Sequence, residues 1–447
     1  MRQVRDQCLA LARTGAAPVA GGRYMRLFPE LPALAIEPEL LRAIGRAGGL
    51  SDATNGGPSD ARTVAAGRPV FGQYLAHDLT ADRSPLTHHD DAELLKNVRS
   101  ARLDLEHLYG EGPIGNPYLY SRLDPALLLL GRSGSGHEDD LPRNQEGIAL
   151  AGDPRQDSHV LISQMHVAMI RAHNRLADGL RADGVPDADL FDQARRELTW
   201  HYQWVMLHDY LPEMIGEQRA ARLLERGPRR FCPEGPVAIP LEFADAAYRF
   251  GHSQMRDSYQ LQPGGPAFKL MPDLMGFRPT PPDRVVHWPL LLDVPGQPPA
   301  QRARAIDGRL PNSLIHLPPD ITGTVDEDDQ ASLAVRDLLR GTATGLPSGE
   351  AVARQAGEAP LAPEQIGLAT MGWPGETPLW YYILREAAVR EDGERLGPVG
   401  SLIVGEVLLG VIDADPSSQR SADPGWRPSL PSRQPGRFTL TDLLAPA

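Results

Sequence analysis

Two stretches of the chain carry histidines with the neighbours and the spacing that catalysis requires. In residues 71–80, Gln73 and His77 are four residues apart, so on a helix both side chains project from one face. Asp78 follows at once, about 100° around the helix, and points elsewhere. One helix can therefore supply an amide and an imidazole to a cavity and a carboxylate to a second site. A histidine in a half-apolar helix is, by itself, more often a hydrogen-bonded core residue.

The second stretch, residues 239–255, places Arg249 and His252 three residues apart on a predicted helix. Gly251 leaves room beside the histidine for a flat group to approach. A neutral imidazole can bind a metal, and a nearby guanidinium can neutralise a carboxylate of a bound molecule. On these residues alone, an ordinary histidine in a capped helix remains an open alternative.

Taken together, several strings in one order resemble the animal-type haem peroxidases of the peroxidase–cyclooxygenase superfamily, in particular their bacterial members. The strings are Gln-x-x-x-His-Asp at 73–78, Gly-Asp-Pro-Arg at 152–155, Arg-x-His-Asn-Arg-Leu-Ala at 171–177, Ala-Tyr-Arg-Phe-Gly-His-Ser at 247–253 and Thr-Pro-Leu-Trp-Tyr-Tyr at 377–382. The resemblance covers about residues 60–415. It implies a mainly α-helical fold with long irregular loops and little β structure.

The resemblance also implies roles on the side of the haem where peroxide binds. His77 matches the distal base, which takes a proton from peroxide and returns it to the leaving oxygen. Gln73 matches a glutamine that holds water or a small anion there, and Arg155 matches an arginine that stabilises developing negative charge. The implied reaction passes through a ferryl intermediate, with hydrogen peroxide and a small electron donor as the partners.

On the other side of the haem, the resemblance makes His252 the iron ligand. Arg249 matches an arginine near the haem edge, and Arg340 one that pairs with a haem propionate. The family places an asparagine behind the histidine, whereas Asp337 stands at that position here. A carboxylate partner would make the imidazole more electron-donating and lower the reduction potential of the iron.

A calcium site is implied by the same resemblance. Its ligands would be Asp78, Ser100, the carbonyl of Arg102, Asp104 and Glu106. Calcium takes about six to eight oxygen ligands, and this set supplies most of them. On spacing alone, Asp104 and Glu106 also read as solvated surface acids.

The manner of haem attachment differs from that of the mammalian members, which form ester links through two carboxylates. Those positions are Ala76 and Ser158 here, and neither side chain can form such an ester. Asp157, one residue away, is a possible weak substitute. We therefore predict non-covalent haem b and a less oxidising site, with phenols, indoles or iodide rather than chloride as donors.

Two other functions remain open. A fatty-acid dioxygenase uses a tyrosine three residues before the iron ligand, but Arg249 holds that position and Tyr248 is one residue off. The second alternative is a haem-binding sensor or partner protein without turnover. It is favoured by the string Thr-Ala-Thr-Gly at 342–345, where the family has Arg-Asp-His-Gly.

The overall composition is that of a globular protein without a nucleic-acid partner. The 447 residues carry a formal net charge of −13, and no basic stripe offsets it. Only two cysteines are present and no apolar run is long enough to span a bilayer, so we expect a cytoplasmic location. The sequence makes no prediction of oligomeric state.

The elements that must position these residues are predicted to be helices. The apolar periodicity places them at 64–79, 159–182, 187–210, 239–255, 329–341, 378–389 and 397–411. Residues 1–60, rich in small residues, are interpreted as an N-terminal extension, and residues 61–447 as the catalytic domain.

Overall fold

A computed structural model describes residues 22–55, 60–81, 95–133, 136–322 and 331–445. Its architecture is mainly α-helical, which confirms the predicted fold class. The helices of eight or more residues within these ranges are α1 (Pro38–Gly45), α2 (Arg68–Leu79), α3 (Val160–Ala182), α4 (Asp187–Val205), α5 (Glu217–Arg226), α6 (Leu333–Ala343), α7 (Leu379–Glu391) and α8 (Pro398–Ala414).

Many shorter helical turns connect these helices. The α-helical ones are Glu106–Tyr109, Gly112–Gly115, Leu211–Ile215, Leu241–Ala244, Gly251–Gln254, Asn312–Ile315, Pro319–Thr322, Gly349–Gln355, Pro363–Ile366, Gln419–Ala422 and Leu440–Leu444. Tighter 3-10 turns occur at Ala53–Asn55, Pro117–Leu119, Pro154–Asp157, Ala247–Phe250, Pro282–Arg284, Trp288–Leu290 and Ala369–Met371, and a π-helical turn at Met206–Tyr210 extends α4.

The β structure of the described residues consists of three small antiparallel pairs. The strands are β1 (Gly22–Arg23), β2 (Asp60–Ala65), β3 (Lys96–Asn97), β4 (Ser258–Gln260), β5 (Ala267–Lys269) and β6 (Arg302–Arg304). β1 pairs with β3, β2 with β6 and β4 with β5. In the pair of β2 and β6, Asp60 lies opposite Arg304 and Ala65 opposite Arg302, with a shift in register between them.

The start of α2 differs from the prediction because β2 occupies residues that were expected to be helical. The helix begins at Arg68 rather than near residue 64, and Pro69 stands in its first turn, where the missing N–H is tolerated. The apolar residues of α2 lie all around the helix, and all of them except Ala76 are buried. Gly72 lets it pack tightly, since a Cβ there would overlap the Tyr210 hydroxyl.

The single helix predicted over residues 239–255 is wrong, because the structure divides this stretch into three short turns. Leu241–Ala244 is followed by Ala247–Phe250 and Gly251–Gln254. The break falls at Ala246, whose backbone leaves the helical region at φ −138° and ψ −75°. As a result, Arg249 and His252 lie on two consecutive short turns rather than on one face of a regular helix.

The described part of the predicted N-terminal extension packs into the core. Leu41 and Ile44 of α1 are fully buried, and α1 packs against α6. The backbone N–H groups of Leu27 and Phe28 donate to the buried carboxylate of Glu242, at 2.9 and 3.2 Å. The division between an extension and a catalytic domain at residue 60 stays a prediction.

Across the described ranges, no helix combines the length and the apolar character that crossing a bilayer requires.

Candidate active site

One cavity brings the two histidines of the sequence analysis together. Gln73, Ala76 and His77 line it from α2, and Arg249 and His252 line it from the short turns that follow residue 246. The space that no atom fills is about 1050 Å³, including open solvent at the mouth. The apolar lining side chains include Phe243, Phe250, Leu270, Met271, Leu314 and Leu333.

His77 contributes a buried imidazole to the wall of this cavity. Its ring is fully buried, and neither ring nitrogen has a hydrogen-bond partner among the described residues. Burial, assisted by the Arg155 cation, holds the pKa of His77 well below its ordinary value, so the ring is neutral at neutral pH. Because buried polar groups are almost always paired, this orphaned imidazole indicates a ligand in the cavity.

The guanidinium of Arg155 lies behind His77 rather than in the cavity wall. It donates to the backbone carbonyl of His77 at 2.9 Å and to both carboxylate oxygens of Asp153, at 3.0 and 2.9 Å. Arg155 is not among the residues that line the cavity. The ion pair with Asp153 turns the side chain toward the backbone of α2. The predicted role of Arg155 beside the peroxide stays a prediction.

Asp153 is the carboxylate that Arg155 and Arg99 share. The sequence analysis did not identify it as a site residue. It also accepts a hydrogen bond from Arg99 at 2.6 Å. Burial raises the pKa of Asp153, but the two arginines outweigh it and bring the pKa far below its ordinary value. Its position in Gly-Asp-Pro-Arg, two residues before Arg155, was the available signal.

On the other side of the cavity, His252 is bound to the carboxylate that the sequence predicted as its partner. His252 Nδ1 lies 2.6 Å from Asp337 Oδ2, and Arg249 donates to Asp337 Oδ1 at 2.8 Å. Asp337 is fully buried; burial raises its pKa, but His252 and Arg249 outweigh that effect and lower it. Since Nδ1 is engaged by Asp337, Nε2 is the ring nitrogen left for a metal.

The two arginines predicted to lie near the haem edge share one carboxylate. Asp245 Oδ1 lies 3.1 Å from a nitrogen of Arg249 and 3.2 Å from Nε of Arg340. Arg249 lines the cavity, whereas Arg340 does not. The pairing of Arg340 with a haem propionate stays a prediction. Asp245 was missed in the sequence, although it precedes Arg249 by four residues.

The residues predicted to bind calcium are brought together only in part. Asp78 is fully buried and Asp104 is partly buried, and the pKa of each is raised to about 7, by burial first and then by neighbouring acids. Asp78 already accepts from the backbone N–H of Leu105 and lies 2.9 Å from Nδ1 of His107. The described residues contain no group of three metal-binding side chains of the His, Cys, Asp or Glu type.

Glu106, a predicted calcium ligand, already has protein partners for its carboxylate, and its role toward calcium stays a prediction. Its carboxylate accepts from Arg99 at 3.0 Å and from the backbone N–H of Ser100 at 3.0 Å, so both oxygens are occupied. The Arg102 guanidinium lies 4.0 Å from Asp415. Because a guanidinium has no acceptor atom, Arg102 could bind a metal only through its backbone carbonyl. A calcium ion here would rely on two carboxylates, the Ser100 hydroxyl and backbone oxygens.

The positions of the family's ester links hold no available carboxylate. Ala76 lines the cavity with a methyl group, and Ser158 is buried outside its lining. Asp157, the suggested substitute, is held by two hydrogen bonds of 2.7 Å from Arg143 and does not line the cavity.

Two further cavity residues enter from the structure. His159, which immediately precedes α3, lines the cavity, and its Nε2 lies 2.8 Å from Gln73 Oε1. Tyr248 lines it as well, stacked on Phe243 with ring centroids 4.5 Å apart. Burial, with the neighbouring Tyr210, raises the pKa of the Tyr248 hydroxyl well above its ordinary value. In the sequence, the only signal for His159 was its position at the start of a predicted helix.

Comparison with known proteins agrees with this geometry. The family model "Animal haem peroxidase" matches residues 87–348. The chain belongs to the animal haem peroxidase family. Heme peroxidase 2 of Caenorhabditis elegans is 32% identical over 112 residues, which are 24% of this chain and 16% of that protein. The chain thus matches about a sixth of the length of this curated relative.

Solved structures show the same fold at low sequence identity. Peroxidase A from Dictyostelium discoideum is similar with a TM-score of 0.65 and 16% identity over 90% of this chain and 89% of that one. The fatty acid alpha-dioxygenase of Oryza sativa is similar with a TM-score of 0.62 and 15% identity over 87% of this chain and 73% of that one. Both likenesses establish the fold of the animal haem peroxidase family for this chain. Its bacterial grouping stays a prediction.

We expect Asp153→Asn to destabilise the protein by about 3 kcal/mol at pH 7, since it leaves two buried guanidinium groups without their carboxylate. The pKa of Asp153 is depressed in the folded state, so its contribution is full above its ordinary pKa and is lost as the pH falls toward the folded value. The difference from wild type should therefore shrink below about pH 4. Urea unfolding at several pH values measures it, and a pH-independent difference would contradict the assignment.

Proposed function

We propose that the protein is a haem-dependent peroxidase that reduces hydrogen peroxide and oxidises a small organic donor, phenolic or indolic, or iodide. The observation that carries the proposal is that one largely apolar cavity is lined by an unpartnered neutral imidazole, His77, and by His252 with its carboxylate partner. When bound there, haem would supply the iron that accepts and returns electrons. We propose His252 as the residue that holds it.

His77 is suited to act as the proton carrier. Its buried ring is neutral at neutral pH, so it can take a proton from peroxide and deliver it to the leaving oxygen. Arg155 fixes the backbone of this residue by donating to its carbonyl. Its positive charge also lowers the pKa of His77, which keeps the base unprotonated before peroxide arrives.

The charge distribution supports organic donors over chloride. The Arg155 cation is turned toward Asp153, and His77 and His159 are neutral at neutral pH because burial depresses the pKa of each. The cation that does line the cavity, Arg249, is shared by Asp337 and Asp245. Chloride would therefore find little net positive charge on these walls.

A fatty-acid dioxygenase is the second candidate, because Tyr248 lines the same cavity. If a bound haem supplied a one-electron oxidant, Tyr248 would lose an electron and a proton, and its radical could take a hydrogen atom from a substrate chain and return to tyrosine. Tyr248 is, however, one position from the family's site. Oxygen uptake with a fatty acid, absent in Tyr248→Phe, would favour this reading. The third possibility, a sensor without turnover, predicts haem binding with no activity toward either substrate.

We expect His77→Ala to lower peroxide-dependent oxidation of a phenolic dye by about 10²- to 10⁴-fold, because the proton transfer loses its base. His208→Ala is the matched control, since His208 is an exposed histidine stacked on Trp204 and does not line the cavity. The rate per bound haem is the measurement. Equal rates in wild type and His77→Ala would defeat the proposed mechanism.

We also propose that haem b is bound without a covalent link. Acid–acetone treatment should then extract all haem from the polypeptide, because Ala76 and Ser158 offer no carboxylate and Asp157 is held by Arg143. The absorbance of the two phases measures the partition. Haem absorbance that stays with the protein would show that a link exists.

We propose calcium at the cluster of Asp78 and Asp104, since a divalent cation would relieve the repulsion between these two carboxylates. A calcium chelator should then lower the thermal midpoint by a few degrees, and added calcium should restore it. Asp104→Asn should remove this sensitivity, whereas Glu106→Gln should keep it, because Glu106 is already bound by Arg99. A midpoint unchanged by the chelator in wild type would exclude a bound calcium that contributes to stability.

The cytoplasmic location stays a prediction.

A further inference from the structure

His159 immediately precedes helix α3 and also lines the cavity. As the N-cap of α3, it accepts a hydrogen bond on Nδ1 from the backbone N–H of Ile162, at 3.3 Å. Its other ring nitrogen, Nε2, lies 2.8 Å from Gln73 Oε1. The residue is 6% exposed and lines the cavity together with Gln73 and His77.

These contacts determine the tautomer of the ring. Because Nδ1 accepts a hydrogen bond from a backbone N–H, it carries no proton itself. Burial lowers the pKa of His159 to about 4, so at neutral pH the ring holds one proton, on Nε2. Nε2 is therefore the donor and the Gln73 amide oxygen the acceptor.

The same hydrogen bond determines which end of Gln73 is available to the cavity. With Oε1 occupied by His159, the amide NH₂ is the end left for a bound molecule. Gln73 and His77 are four residues apart on α2, on one face of the helix. This wall therefore pairs N–H donors with an imidazole that accepts a proton.

We propose that His159 is a positioning residue that holds the Gln73 amide with its N–H groups toward the ligand bound beside His77. The backbone N–H of Ile162 determines the tautomer of His159, and this tautomer determines the orientation of the Gln73 amide. The inference rests on the proposed function in one respect, that a haem ligand binds at this wall. It adds the class of ligand, namely small acceptors of hydrogen bonds such as peroxide oxygen.

Without His159, the amide could turn by 180° at little steric expense, because its two ends have nearly the same shape. The Gln73 carbonyl oxygen would then face the lone pairs of the ligand. The two electron-rich atoms would repel each other, where the amide N–H groups would have donated a hydrogen bond. Removing His159 should thus weaken acceptor ligands without altering His77.

Fluoride binding to the haem-loaded ferric protein tests this arrangement, since fluoride is a hydrogen-bond acceptor and its binding changes the absorption spectrum. His159→Asn retains a good N-cap for α3, but its shorter side chain does not reach Gln73. We expect fluoride affinity to fall about tenfold, near the loss of one hydrogen bond. The thermal midpoint should stay close to wild type.

A double-mutant cycle separates positioning from a structural role. Gln73→Leu should weaken fluoride to a similar degree, and adding His159→Asn to it should weaken fluoride no further, because both act through one amide. His166→Gln is the matched control, a buried histidine of the same helix outside the cavity lining, and it should bind fluoride as wild type does. Wild-type affinity in His159→Asn, or additive losses in the double variant, would overturn the proposal.

Fluoride binding requires bound haem but no turnover, so the two proposals fail separately. Loss of fluoride affinity in His159→Asn, in a protein that shows no peroxide turnover, would defeat the proposed function and leave the positioning role. Normal turnover in wild type with unchanged fluoride affinity in His159→Asn would support the proposed function and defeat the positioning role.

Discussion

The ion pair between Asp153 and Arg155 determines how the His77 side of the cavity is built. Asp153 is buried with two guanidinium groups, and its charge is needed to neutralise them. Through Arg155 it fixes the carbonyl of His77, and through Arg99 it holds the loop that includes Glu106. A single carboxylate thus connects α2 with the loop proposed to bind calcium. The same ion pair keeps a positive charge away from the cavity lining.

The His252 side of the cavity also contains a buried carboxylate paired with a guanidinium group. Asp337 is also a buried carboxylate shared by two donors, here the imidazole of His252 and the guanidinium of Arg249. In both places the cation that accompanies a histidine is neutralised by a buried acid. The electrostatic result is a cavity whose walls carry little net charge, with an electron-rich imidazole on one side and a neutral base on the other.

The sequence predicts the fold class and the identities of the two central histidines, because short strings of fixed spacing carry that information. It also predicts the contact between Asp337 and His252, which depends on one substitution within a recognisable string. Directions of side chains are a different matter. Arg155 matches its string, yet its guanidinium is held by Asp153 and by the backbone carbonyl of His77. Only the folded structure shows that it makes these contacts.

Residues that act through tertiary contacts were the hardest to find. Glu106 keeps the spacing of a metal ligand, but Arg99 is close enough to occupy its carboxylate, and no local pattern reveals that distance. His159 contacts Gln73 across 86 residues of chain, so neither periodicity nor spacing relates them. The helix at 239–255 fails for a related reason, since it breaks next to Asp245, which joins Arg249 to Arg340.

These long-range contacts bear on how the cavity can select its ligands. Among the described residues the His77 ring has no hydrogen-bond partner, so its position depends on the backbone of α2 and on the Arg155 side chain behind it. The amide of Gln73 depends on a helix cap from another part of the chain. This amide is therefore oriented through a backbone N–H group, which does not rotate as a side chain does. Orientation set in this way does not need a bound ligand, so this part of the wall is preorganised.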